Sequence, residues 1–156
     1  MVLMRKAIFI LASVMLIAAV SCKKDENPVD YKAKLPGEWH YVSEDLDVDI
    51  YASFEENGDF HLYQQLGEGR HRHYSGNWTV DGNTLSGTYE GGKPWGSSYS
   101  MSFSDDDTMI LTALNGSDES NTYVREDIPS EVKDQSIDVK SSSLRMLNSQ
   151  PQYRWL

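Results

Sequence analysis

From Leu35 to Arg125 apolar residues recur at nearly every second position. Successive side chains of an extended strand point to opposite faces, so this alternation predicts strands with one dry face and one wet face. Trp39 and Tyr41 alternate with His40; Val48, Ile50, Ala52 and Phe54 alternate with Asp49, Tyr51 and Ser53; Phe60 and Leu62 alternate with His61 and Tyr63. The pattern continues through Tyr74, Gly76, Trp78 and Val80, then Leu85, Gly87 and Tyr89, then Tyr99, Met101 and Phe103. Met109, Leu111 and Ala113 form a seventh set, and Thr122 with Val124 an eighth. Between the runs stand turn sequences such as "ENGD" (56–59), "DGN" (81–83), "GGKPWG" (91–96) and "NGSD" (115–118). Asn-Gly and Asp-Gly accept the positive φ angles of tight hairpins, and short turns join sequence neighbours as antiparallel pairs. The predicted fold is all-β: a single small eight-stranded up-and-down antiparallel β-barrel, because closing the meander removes the exposed edges of an open sheet.

The two ends of the chain break the alternation. Arg5 and Lys6 precede an uncharged stretch from Ala7 to Val20, closed by Ala18, Ala19 and Ser21. Basic start, apolar middle and small-residue exit are the layout of a secretory signal peptide, here residues 1–21. The only cysteine, Cys22, follows at once. "AVSC" resembles the lipobox of bacterial lipoproteins, which implies that Cys22 carries diacylglycerol and an acylated amine. "KKDEN" after it resembles the export signal of surface lipoproteins in Bacteroidota. Together they imply a protein lipid-anchored in the outer membrane through Cys22 and facing the cell surface. Residues 22–34 read as the acylated cysteine and a flexible tether. Residues 35–127 form the barrel. Residues 128–156 are a C-terminal extension in which Pro129 ends the strand pattern, "EVKDQ" suits one helical turn and "SIDVK" alternates once more. Leu144, Met146, Leu147, Tyr153, Trp155 and Leu156 then return apolar character, so part of the extension is expected to dock on the barrel.

Charge narrows the partners. Without residues 1–21, 12 basic residues face 24 acidic ones, a net charge of about −12. Such a surface excludes nucleic acid, whose phosphates need a basic face, and disfavours adsorption to anionic headgroups. Attachment would come from acyl chains, each buried methylene adding about 0.8 kcal/mol.

The order of "LPGEWHY" (35–41), "FEENGDF" (54–60), "YSGNWTVDGNTL" (74–85) and "TYVR" (122–125) resembles the lipocalin-like domain of Bacteroidota lipoproteins. The resemblance covers roughly residues 35–127. It implies that Gly37, Trp39 and Arg125 close one barrel end, with the guanidinium over the indole, a contact of about 0.5–2 kcal/mol. The chain looks like the compact version of that domain, whose molecular role is poorly defined, so the expectation of a binder rather than an enzyme rests on the lack of a catalytic constellation in the sequence.

Tyr41, Phe54, Phe60, Tyr74, Trp78, Tyr89, Tyr99 and Phe103 are the residues expected to face inward as candidate ligand-lining groups. Two readings remain open at this point. The rings line a cavity for a small, largely apolar ligand placed by tyrosine hydroxyls, or they fill a small barrel. Filling is the safer reading for any one ring; Gly76 and Gly87 keep the cavity reading alive, since a strand glycine can leave room for a ligand, although a bulge or bend explains it as well. In "RHRHY" (70–74), His71 and His73 share a strand face, with His61 on the neighbouring strand. If Leu62 pairs with Tyr74, these histidines point outward, and a solvated cluster against an acidic surface is favoured over a metal site. The acidic runs lack the spacing of a calcium loop. No nucleophile elbow or phosphate loop occurs, so no catalytic residue, metal or cofactor is assigned. "DTM" at 107–109 resembles an O-glycosylation site at Thr108. The sequence thus predicts a lipid-anchored envelope lipoprotein that binds a small apolar ligand, or else a filled barrel that binds an envelope protein as an inhibitor or accessory subunit.

Overall fold

The computed structural model of the protein describes residues 28–43, 46–117 and 119–139. Cys22, the signal sequence and the apolar residues from Leu144 onward lie outside them. A short helix, α1 (Tyr31–Lys34), precedes eight strands: β1 (Gly37–Ser43), β2 (Val48–Phe54), β3 (Asp59–Leu66), β4 (Arg72–Asp81), β5 (Thr84–Tyr89), β6 (Tyr99–Phe103), β7 (Thr108–Ala113) and β8 (Ser120–Arg125). Helix α2 (Ser130–Gln135) and a two-residue strand, β9 (Ile137–Asp138), follow.

Each strand pairs antiparallel with its sequence neighbour, and β8 returns to β1 through Trp39↔Arg125 and His40↔Val124. The meander is therefore a closed eight-stranded barrel. Register follows the hydrophobic pattern, because a slip of one residue would turn every apolar side chain into water. Leu62 pairs with Tyr74, Ala52 with both Trp39 and Leu62, and Met101 with Leu111. One continuous core results, in which Trp39, Ile50, Phe60, Leu62, Leu85 and Met109 are wholly buried.

Two of the elements depart from the sequence reading. The last strand faces the other way: Asn121 and Tyr123 are buried, whereas Thr122 and Val124 are exposed. Cross-strand partners share a face, and Tyr123 pairs with the inward Met109. The end of the stretch read as a flexible tether is helical. Asp30 caps α1 by accepting from the Ala33 amide at 3.1 Å. Tyr31 packs on Phe103, and Leu35 is fully buried behind it.

The end of the barrel near α1 is closed by one constellation. Arg125 lies over the Trp39 ring, 4.2 Å from its centroid. Its guanidinium donates to the Pro36 and Lys34 carbonyls at 3.0 and 3.1 Å. Trp39 Nε1 donates to the Leu35 carbonyl at 2.9 Å. Gly37 makes this possible, since a Cβ there would stand 2.2 Å from the Arg125 guanidinium, and its φ of +132° suits only glycine.

Candidate functional site

The barrel interior is aromatic. Phe54 meets Trp78 edge-on at 6.2 Å between centroids, Phe60 meets Tyr89 at 5.9 Å, and Tyr74 meets Tyr89 at 5.9 Å. Trp78 Nε1 donates to the Asp59 carbonyl at 2.9 Å, which ties this ring to the β2–β3 turn. Tyr41 and Phe103 are only half buried. Tyr41 packs on Tyr123, and Phe103 lies between Tyr31 and Trp39 under the Lys34 ammonium.

The two strand glycines do not leave open space. A Cβ on Gly87 would stand 2.4 Å from the indole of Trp95, and one on Gly76 would stand 2.0 Å from the Thr88 carbonyl oxygen and 2.8 Å from the Phe60 ring. Trp95 comes from the loop between β5 and β6. Its ring turns inward over Gly87 and meets Phe60 edge-on at 4.9 Å. Sequence reasoning missed Trp95 because it sits in a Gly- and Pro-rich turn sequence, and missed Tyr123 because it sits on the strand face read as polar.

These two residues carry the interior's unusual chemistry. Tyr123 Oη and Trp95 Nε1 are buried hydrogen-bonding atoms without a protein partner among the described residues. Burial pushes the Tyr123 hydroxyl far above the ordinary tyrosine range, and the hydroxyls of Tyr99, Tyr41 and Tyr89 push it further. Burial also raises Tyr99, to about 12. Among the described residues the interior thus presents neutral phenols, the amides of Gln64 and Asn121, and the unpartnered indole N–H of Trp95. It can donate hydrogen bonds but offers no charge to balance an ion.

The outer face of β1–β4 carries a second constellation. All four histidines of the chain stand there. His40 Nε2 lies 2.6 Å from Asp49 Oδ1 and its Nδ1 lies 2.8 Å from Glu126 Oε2. His71 Nε2 lies 3.1 Å from Asp49 Oδ2. His61 Nδ1 faces His73 Nε2 at 3.0 Å, and His73 Nδ1 faces Asp138 Oδ1 at 2.7 Å. Tyr51 stacks on His40, and Tyr63 stacks on His73. The expected solvated cluster is instead half covered. The segment from Glu126 to Val139 crosses it as a strap, with Ile128 buried against Tyr51 and Tyr63 and Val132 packed beside them. The strap is also held by Ile128 N donating to Glu38, by Lys133 on Glu38 at 2.8 Å, and by β9 pairing parallel with the start of β4. Burial tends to raise the Asp49 carboxyl, but hydrogen bonds from His71 and His40 outweigh it and hold the group below its usual range. Among the described residues no group of three or more His, Cys, Asp or Glu side chains is placed to hold a metal ion.

The chain matches the family model of the lipocalin-like domain over residues 21–111. It belongs to that family. The lipocalin-like barrel is a binding-type fold. A solved NMR structure of a protein from Bacteroides uniformis shares the fold at 12% identity and a TM-score of 0.50, over 62% of this chain and 93% of that one. A crystal structure of an uncharacterized protein from Bacteroides eggerthii aligns at 15% identity and a TM-score of 0.40, over 59% of this chain and 99% of that one. No curated protein matches the chain.

Proposed function

We propose that this lipocalin-like protein is a non-enzymatic lipoprotein, anchored through acylated Cys22 at the outer membrane and cell surface, whose barrel binds a small, largely apolar ligand bearing a hydrogen-bond acceptor. The observation that carries the binding role is the pair of unpartnered donors, Tyr123 Oη and Trp95 Nε1, inside a largely aromatic interior. A buried donor without an acceptor costs about 1–3 kcal/mol, and a ligand carbonyl, ether or amide oxygen would recover that cost. An interior of neutral phenols suits such a group better than a carboxylate. Trp95 supplies the room. It hangs over Gly87 from a loop rather than a strand, so a shift of that loop admits a ligand while the indole stays beside it as a donor and the strand pairing stays intact. The anchor reading is supported by "AVSC" and "KKDEN".

A second reading has its own observation. Val42, Leu46 and Leu66 are exposed at the barrel end where β1, β2 and β3 meet. They would give an envelope protein an apolar foothold, with the barrel serving as an inhibitor or accessory subunit.

Mass spectrometry of the full-length protein, extracted gently from its own membranes, tests the proposal in one experiment. Intact mass should show a diacylglyceryl adduct that Cys22→Ala abolishes. Native conditions should show a non-covalent small molecule that Tyr123→Phe weakens. Acylation retained in Cys22→Ala would remove the anchor. The absence of any small molecule, alongside a co-purifying protein lost on Leu66→Asp, would replace the ligand reading with the second one.

A further inference from the structure

The strap and the histidines beneath it form a device that the ligand reading does not use. His40 stands at the seam where β1 meets β8, and both of its ring nitrogens face carboxylate oxygens. A neutral imidazole has one N–H and one lone pair. It can donate to Asp49 or to Glu126, but the other contact then sets lone pair against lone pair at under 3 Å. Only the doubly protonated ring satisfies both. Its stacking on Tyr51, with centroids 4.1 Å apart and planes 4° apart, also favours a cation. His73 is arranged differently. Its Nδ1 donates to Asp138, and its Nε2 accepts from His61 Nδ1, so it makes both contacts as a neutral ring.

We propose that His40 is a proton-dependent clamp for the leading end of the strap. When doubly protonated, it ties Glu126 of the strap to Asp49 of the sheet. On losing a proton it keeps Asp49 and releases Glu126. Asp49 is the partner retained because it is the less exposed of the two and is already fixed by His71, whereas half of the Glu126 side chain is in water. The charged groups around the clamp are Asp49 on β2, Glu126 after β8, and the Glu38–Lys133 pair that joins β1 to α2; His71 reaches it through Asp49. Release of Glu126 leaves the leading end held only by the Glu38 contacts and the burial of Ile128, so Ile128 lifts from Tyr51 more often and the aromatic outer face of the sheet opens more often. The trailing end stays, because His73–Asp138 and the β9 backbone bonds require no second proton. The clamp therefore closes on protonation and opens as pH rises.

Amide hydrogen exchange on the full-length protein separates the two ends. After correction for intrinsic rates, protection of the Ile128 amide should fall about tenfold between pH 5.5 and pH 8.5. The Val139 amide, which donates to the His73 carbonyl, should keep its protection, and so should Ile50 in the barrel. Half of the Glu126 side chain lies in water, so Glu126→Gln should fold normally; its amide can donate to the neutral ring or accept from the charged one, so its Ile128 protection should be the same at both pH values. His40→Gln should behave likewise. Equal Ile128 protection at both pH values in the wild type would overturn the proposal. So would parallel loss at Ile128 and Val139, or an unchanged pH response in Glu126→Gln.

Discussion

Strands β1–β4 present two aromatic faces that are built differently. Inward, Trp39, Phe54, Phe60 and Trp78 pack against side chains from every other strand, and the ring of strands excludes water by closing. Outward, Tyr51 and Tyr63 rest beside four histidines and need the strap to cover them. The inner face is held by area, which is non-directional and accumulates with every ring. The outer face is held by charge-assisted hydrogen bonds, which depend on protonation and are worth little where water reaches them. Stability should thus reside inside and responsiveness outside.

The most severe way to probe this division is Trp39→Ala. It removes a fully buried indole, the surface on which Arg125 lies and the donor that holds the Leu35 carbonyl. Loss of a core tryptophan costs about 3–5 kcal/mol. Urea unfolding should show a loss of that size, with α1 released as well. A loss below about 1 kcal/mol would mean that the inner face is no better packed than the outer.

A smaller effect should appear at alkaline pH. Tyr99 and Tyr123 are held neutral by burial, Tyr99 up to about 12, whereas an unfolded tyrosine ionises near 10. The folded state therefore keeps protons that the unfolded chain gives up. This contribution to stability is fully present below pH ~10 and is lost as pH rises from there toward the folded value. Absorbance at 295 nm should show the exposed tyrosines ionising first and the buried pair only together with unfolding. Ionisation of all tyrosines in one step near pH 10, with the fold intact, would show an interior open to water.

How much of this was legible follows from the same two faces. Strict alternation and evenly spaced Asn-Gly and Asp-Gly turns were enough for the barrel, because one buried face fixes register. Tyr123 was also within reach. Arg125 lies over the inward Trp39, and residues two apart on a strand share a face, so Arg125 implies an inward Tyr123 and contradicts the choice of Thr122 and Val124. Trp95 was not legible, since nothing in "GGKPWG" says that a turn residue will fold back over a glycine one strand away. The outer constellation was half legible. Pairing of Leu62 with Tyr74 sends His61 and His73 outward, as the register shows. Tyr and His, however, are amphipathic and suit either a wet or a covered face. Only the strap decides which, and its docking depends on contacts some ninety residues apart, such as Lys133 with Glu38.

The smallest effect tests the outer face itself. Asp49 accepts from His40 and His71, and these bonds hold its carboxyl below the usual range against the opposing pull of burial. A depressed carboxyl contributes stability above its unfolded pKa of about 3.9, and that contribution is lost as pH falls through the folded value. Asp49→Asn keeps the shape but removes the charge. At neutral pH it should cost on the order of 1 kcal/mol, since the site is partly in water. Below pH ~4 the wild type should lose this advantage, so the two stability curves should converge toward strong acid. Convergence would locate the proton-sensitive part of the molecule on its outer sheet. Parallel curves down to the acid limit would instead assign the acid response to carboxylates elsewhere and leave Asp49 as a purely steric support for the two histidines.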